Sequence, residues 1–246
     1  MKDLTNRTLY FGEGLFETFK LYYFNNKIYL PKNINFHYLR FSKGLKFFKL
    51  PFVSFKEFRE NILKLAYESK VLAFNHKIYR AKLLAFSFGE KSFFGKSQFL
   101  KFKMDLEPLN PSNTKLTLGI SKYRKYSKNP LNFFKTTCYT FNILVKREAI
   151  KNNFQDNIIL NENNELTETS CANLYLQIKG KLYTPPISSG VLPGSIRQIL
   201  VNKKIAKVKK LYIDDLLKAE KVYISNAIIG LKECQTKINS DYIKSK

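Results

Sequence analysis

Tryptophan is absent from the 246 residues, and cysteine, histidine and methionine are scarce, at three, two and two. Cys138, Cys171 and Cys234 lie far apart and form no CxxC pair, which excludes a disulfide framework and a cysteine-rich zinc site. No uninterrupted apolar run approaches the roughly 20 residues that a bilayer requires. The segment from Met1 to Tyr10 has polar residues and no apolar h-region, so it does not read as a signal peptide. The expected location is the cytoplasm, with no membrane partner. Acidic side chains are also few: 19 Asp and Glu stand against 43 Lys and Arg, for a net charge of +24. Such an excess could mark a nucleic-acid surface, because clustered cations release counterions from a phosphate backbone. Here the lysines are spread along the whole chain and accompany abundant Asn, Ile and Phe. That is the compositional bias of AT-rich coding, and no specific nucleic-acid partner is expected. The charge does favour anionic small molecules.

The residues that are present describe a folded chain. Hydrophobic content is 44%, and the length allows one large domain or two small ones. The opening segment suits strands: Arg7 to Tyr10, then Leu15 to Tyr23, a turn at Asn25-Asn26, and Lys27 to Leu30. The period then changes. Phe36 to Phe48 fits a helix that Pro51 ends, and Ser54 reads as an N-cap with Glu57 three residues on. Strands follow at Lys77 to Ser87 and Ser97 to Leu106. The run Pro108-Leu109-Asn110-Pro111-Ser112-Asn113 reads as a linker. The division is therefore residues 1–107, a linker over 108–114, and a second domain over 115–246. The second half holds a strand from Lys115 to Ser121 and a helix over Tyr139 to Asn152. It continues with strands at Asn157 to Leu160, Leu174 to Ile178, Leu182 to Thr184 and Lys221 to Ser225, and helices from Ser195 and from Asp214. Helices and strands mix without a regular βαβ repeat, so the class is α+β in two parts.

Several short patterns carry chemistry. Gly12-Glu13-Gly14 lacks the third glycine of a dinucleotide loop and reads as a tight turn before a strand. His37 and Arg40 sit three apart on a helix, one face of which could present Arg40 to a phosphate. Lys135 follows Asn132-Phe133-Phe134, and a lysine in an apolar setting can attack an aldehyde. Glu168 lies between a polar turn and an apolar strand, where it could be an edge residue or a carboxylate set against a ring nitrogen. Leu192-Pro193-Gly194-Ser195-Ile196-Arg197 places a turn before a helix N-terminus, whose amides suit a phosphate. Ser225-Asn226-Ala227, leading to Gly230, is a second candidate amide nest.

Together these residues resemble the class IV aminotransferase family, fold type IV of the pyridoxal-phosphate enzymes. The family includes branched-chain and D-amino-acid aminotransferases and 4-amino-4-deoxychorismate lyases. The resemblance runs through Gly12 to Thr18, His37-Tyr38-Leu39-Arg40-Phe41, Glu168 to Tyr175, and Thr184-Pro185 with Gly190 to Arg197, in family order. It implies a small N-terminal α/β sandwich-like domain, a larger C-terminal pseudobarrel domain, and a homodimer. It implies pyridoxal 5'-phosphate held as a Schiff base by Lys135, with Glu168 on the ring nitrogen and Leu192 packed on the ring. Arg40 and the amides of Ser195, Ile196, Asn226 and Ala227 would take the phosphate. Val222 to Gly230 resembles the lyases' VFxTNSLxG phrase. This implies elimination from 4-amino-4-deoxychorismate to give 4-aminobenzoate and pyruvate on the folate route, with D- or branched-chain amino-acid transamination as the alternative. Cys138, Tyr139 and Ala227 depart from the lyase pattern. The substrate is expected to be an anionic amine, with Arg80 and Tyr139 as candidate contacts.

Overall fold

A computed structural model of the protein describes residues 4–69, 77–110 and 114–237. Its contacts divide the chain into two units: Met1–Ser112 with Phe134–Cys138, and Asn113–Phe133 with Tyr139–Lys246. Pro111, Ser112 and Asn113 of the expected linker lie outside the described residues.

The first unit contains β1 (Leu4–Asn6), α1 (Arg7–Phe11), β2 (Gly14–Phe24), β3 (Lys27–Tyr29), α2 (Ile34–Phe47), α3 (Phe55–Glu68), β4 (Ile78–Glu90) and β5 (Ser97–Pro108). The long antiparallel strand β4 is its axis. β5 lies along one edge of β4, while β2 and then β1 share the other, and β3 extends the sheet beyond β2. Strand alternation sends Leu15, Phe19 and Leu21 of β2, and Tyr79, Ala81, Leu83 and Ala85 of β4, to one face. Both long helices pack on that face. α3 brings Phe58, Ile62 and Ala66 at helical spacing, and its start is fixed by the expected capping box of Ser54 and Glu57.

Arg7 to Phe11 is a helix and not the expected strand. Asn6 caps it by accepting a hydrogen bond from the Leu9 amide, and Gly12, in the left-handed region at φ 69°, closes it by donating to the Thr8 carbonyl. Two local polar contacts thus outweigh the strand-like composition. A Cβ at Gly12 would also strike the Cys138 sulfur.

α2 departs from simple amphipathic expectation in what it buries. Leu39 faces solvent, while His37 and Arg40 lie in the core. Glu17 of β2 is the reason. Arg40 donates Nε to Glu17 Oε1 at 2.8 Å and Nη2 to Oε2 at 2.6 Å, and His37 Nδ1 lies 2.8 Å from the same Oε2. Burial pushes the Glu17 carboxyl up, but the Arg40 charge and the His37 hydrogen bond outweigh it and hold the group at about 2.

The second unit is a closed sheet. Its strands are β6 (Leu116–Lys125), β7 (Asp156–Asn161), β8 (Leu166–Thr169), β9 (Asn173–Ile178), β10 (Lys181–Thr184), β11 (Ala206–Val208), β12 (Lys221–Asn226) and β13 (Gly230–Thr236). Its helices are α4 (Thr140–Lys151), α5 (Ser195–Asn202) and α6 (Ile213–Leu217). The order β9-β12-β13-β6-β7-β8 returns to β9 and makes a barrel, with β10 and β11 as an extension. Leu118, Ile158, Leu160, Leu166, Leu174 and Val222 belong to its core. β1, β8, β11 and β13 were not expected from composition. This α+β pairing of an open sheet with a closed barrel matches the fold class anticipated above. No described helix is long and apolar enough to cross a membrane.

Because the Glu17 pKa is depressed on folding, its contribution is present above the ordinary carboxyl value of 4.5 and is lost as pH falls through about 2. Urea midpoints should fall across that window, and Glu17→Gln should flatten the fall. Arg40→Met, which leaves the buried carboxylate without its cation, should cost about 3–5 kcal/mol at neutral pH.

Candidate active site

Lys135 lies in the excursion that the second half of the chain makes into the first unit. β3 pairs only with the end of β2, over Tyr22 to Phe24, so the first half of β2 has an open edge. Residues 134–138 cover it. The Phe16 amide donates to the Lys135 carbonyl at 2.8 Å, the Thr137 amide donates to the Gly14 carbonyl at 3.0 Å, and Leu15 bridges Thr136. Thr137 Oγ1 also donates to the Gly12 carbonyl at 2.8 Å. This backbone clamp fixes the Lys135 stem, and its Nζ lies 4.5 Å from the centre of the Phe16 ring. Phe134 packs on Phe47, with ring centroids 4.9 Å apart.

Glu168 sits in the second unit where the barrel closes. The β8–β9 seam has a single register pair, Glu168 with Asn173. The carboxylate is buried and meets three donors. Lys125 Nζ pairs with Oε1, while the Asn173 side-chain amide and the Leu192 backbone amide donate to Oε2 at 3.2 and 3.1 Å. Asn173 also donates to the Leu192 carbonyl at 2.9 Å, tying the Leu192 loop to the seam. Lys125 was not singled out from the sequence. It ends β6 beyond a register shift between Ile120 and Arg124, and it was one lysine among many. Its signal is three-dimensional: it is itself buried, and its partner is a buried acid.

Two further acids hold the surrounding loops. Asp156 accepts from the Ser170 amide at 3.2 Å and the Ser170 hydroxyl at 2.9 Å, which fixes the turn after Glu168. Glu165 accepts from Asn161 at 2.8 Å and Ser189 at 2.6 Å, and pairs with Lys210 at 2.6 Å. Ser189 immediately precedes the Gly190-Val191-Leu192 stretch. Tyr139 Oη and Asn142 Nδ2 both donate to the Ser170 carbonyl, at 3.3 and 2.7 Å.

No side chain caps α5, so the amides of its first turn at Ser195 and Ile196 keep their anion-binding character. Arg197, in the same turn, is buried, donates Nη2 to the Pro185 carbonyl at 2.8 Å and has no hydrogen-bond partner for Nε among the described residues. Asn226 shapes the other nest: its Oδ1 accepts from the Ile228 and Ile229 amides at 2.9 and 3.0 Å, and its Nδ2 donates to the Cys171 carbonyl at 3.2 Å. Strand pairing places the two nests in one unit, because β12 runs beside β9 with Ser225 opposite Asn173. In the first unit, Arg40 is held by Glu17 as described. Arg80, on β4, is exposed and ion-paired to Glu107 at 3.3 Å.

Within the second unit, a buried carboxylate has the chemistry to face a protonated ring nitrogen, and the uncapped amides at Ser195 and Ile196 have the chemistry to bind a phosphate. Within the first unit, the backbone-clamped Lys135 carries an amine that can react with an aldehyde. Comparison with known proteins identifies the family. Residues 14–234 match the amino-transferase class IV family. A Thermotoga maritima protein, provisionally named branched-chain-amino-acid aminotransferase, is 28% identical over 206 residues, covering 79% of this chain and 68% of that one. The aminodeoxychorismate lyase of Bacillus subtilis is 25% identical over 231 residues, covering 90% and 76%. A Legionella pneumophila crystal structure, provisionally assigned as 4-amino-4-deoxychorismate lyase, superposes with a TM-score of 0.81 at 23% identity, covering 98% of this chain and 90% of that one.

The Glu168 cluster yields two expectations. Lys125→Met should destabilise the protein by about 3–5 kcal/mol by orphaning a buried carboxylate, whereas Lys125→Arg should recover most of the loss. Gly194→Ala would drive a Cβ into Asn173 Oδ1. It should lower the thermal midpoint and displace the Leu192 loop, which amide exchange at Leu192 would report.

Proposed function

The chain belongs to the class IV aminotransferases, a family that uses pyridoxal 5'-phosphate, and on that footing we propose that it acts on an anionic primary amine, as an aminotransferase. The Glu168 cluster carries the cofactor part of this reading, since a buried carboxylate with its own cation suits a protonated pyridine nitrogen. When bound, the cofactor draws electrons from the substrate carbon that bears the amine.

The chain's own residues supply the rest. Lys135 Nζ is the amine that would hold the cofactor at its aldehyde carbon. Released from that carbon by the substrate amine, the same Nζ would take the proton from the amine-bearing carbon and, for amino transfer, would deliver it to the cofactor carbon that Lys135 had held. Its clamp at Phe16 and Thr137 limits its wander. Glu168 would hold the ring nitrogen, and Leu192 would pack on the ring. Arg40, steered by Glu17, and the amides of Ser195, Ile196, Asn226 and Ala227 would take the phosphate.

Branched-chain relatives and the residues Cys138 and Tyr139, which depart from the lyase pattern, support transamination of D- or branched-chain amino acids. Elimination from 4-amino-4-deoxychorismate is the second reading, supported by the Val222 to Gly230 phrase and by the Bacillus subtilis relative. Arg80 and Tyr139 remain proposed substrate contacts in either case. A cytoplasmic homodimer that binds neither membrane nor specific nucleic acid completes the reading.

Borohydride treatment of protein loaded with pyridoxal phosphate should leave the cofactor on the Lys135 peptide, and Lys135→Ala should abolish that adduct. Amino transfer from leucine or a D-amino acid to 2-oxoglutarate is the expected reaction. Pyruvate release from 4-amino-4-deoxychorismate without any keto acid would instead establish the lyase. Absence of the Lys135 adduct would sink both.

A further inference from the structure

Lys125 is the one buried lysine among the described residues. It ends β6, and Glu168 meets it from β8. Its ammonium lies between Glu168 Oε1 and the Gly190 carbonyl, the latter at 3.4 Å. Holding a long cation there costs both desolvation and side-chain freedom. A neutral amide also donates hydrogen bonds; what the lysine adds is a full positive charge.

The two oxygens of Glu168 are used unequally. Oε2 accepts from the Asn173 side-chain amide at 3.2 Å and the Leu192 amide at 3.1 Å. Oε1 accepts from Lys125 alone among the described residues. A carboxylate oxygen has two lone pairs, so Oε1 keeps one for a further donor. The other charge that acts on Glu168 is Arg197 of α5, whose pKa burial lowers against the pull of Tyr175 and Glu168. Arg197 gives its Nη2 to the Pro185 carbonyl. Tyr175 of β9 is bonded to Ser225 at 2.7 Å and, pushed up to about 12 by burial, is uncharged at neutral pH. The nearby acids are taken: Glu162 accepts from the Ser127 amide at 2.8 Å, and Glu165 pairs with Lys210 at 2.6 Å. Lys125 is thus the cation in direct contact with the Glu168 carboxylate.

Resting on the proposed function, we propose that Lys125 is a positioning residue that shares Glu168 with the cofactor's ring nitrogen and weakens that nitrogen's hold on its proton. A carboxylate with no other cation stabilises a pyridinium in full. One already paired with a buried ammonium has part of its field cancelled, and the two cations repel across it. Lys125 therefore moderates how strongly the ring draws electrons, and it does so through Glu168. A glutamine at this position would keep a hydrogen bond to Oε1 but lose the charge, whereas an arginine would keep both.

The test loads the protein with pyridoxal phosphate bearing an isotope-labelled ring nitrogen, whose chemical shift is followed against pH. In Lys125→Gln the ring nitrogen should keep its proton to a pH at least about one unit above wild type. Lys125→Arg should titrate as wild type does. So should Lys122→Met, which removes an exposed charge from the same strand. No shift in Lys125→Gln, or an equal shift in Lys122→Met, would overturn the proposal and leave the cofactor reading intact. Should Lys125→Gln not fold, Lys125→Gln with Glu168→Gln decides, because it leaves no orphaned buried charge. If the lysine offsets the acid, removing both should leave the ring nitrogen within about one unit of wild type, and a larger fall would overturn the proposal. Absence of the borohydride-fixed Lys135 adduct in the wild type would overturn the cofactor reading, and this inference with it.

Discussion

Closing the second sheet on itself brings charge indoors, and the site follows from how that charge is matched. The seam between β8 and β9 has one register pair, Glu168 with Asn173. Backbone pairing this short cannot seal a barrel alone, so side chains finish the closure. Thr169 Oγ1 accepts from the Ala172 amide at 3.2 Å, and Asp156 anchors Ser170. An unpaired buried charge costs several kcal/mol. Each of the three acids along the β7–β8 hairpin has its own donors: Lys125 for Glu168, Lys210 for Glu165, and the Ser170 hydroxyl and amide for Asp156. The contacts that finish the barrel thus also fix the Glu168 carboxylate in place.

The first unit solves a similar problem with a different outcome. α2 gives up the burial of Leu39 to bring His37 and Arg40 onto Glu17. A helix that buried its apolar residues instead would gain about 1.5–3 kcal/mol for a leucine. What the ion pair adds is a guanidinium plane fixed by two bonds to one carboxylate.

Local signals were legible in the sequence and non-local ones were not. The Ser54–Glu57 capping box and the Asn25-Asn26 turn are written within a few residues and appear where expected. α1 is also local, but its evidence is a single Asn cap and a Gly stop around five residues that look extended. β11 and β13 are short or half-exposed, so their alternation is weak, and their partners β10, β6 and β12 identify them. Lys135 and Glu168 stand out in the sequence as candidates because ordered motifs accompany them. Lys125 does not, since in a lysine-rich chain only its buried partner distinguishes it.

The segment 134–138 has a further bearing, on biosynthesis. It completes the edge of β2 although it is translated after the whole of β5 and β6. A nascent chain that has released only its first 112 residues therefore carries an unprotected strand edge at Gly14 to Thr18, open to mispairing with another chain. A fragment ending there should aggregate, and a synthetic peptide spanning Phe134 to Cys138 should act as its missing strand. Lys135 is, in this sense, part of the last stitch in the first half of the protein.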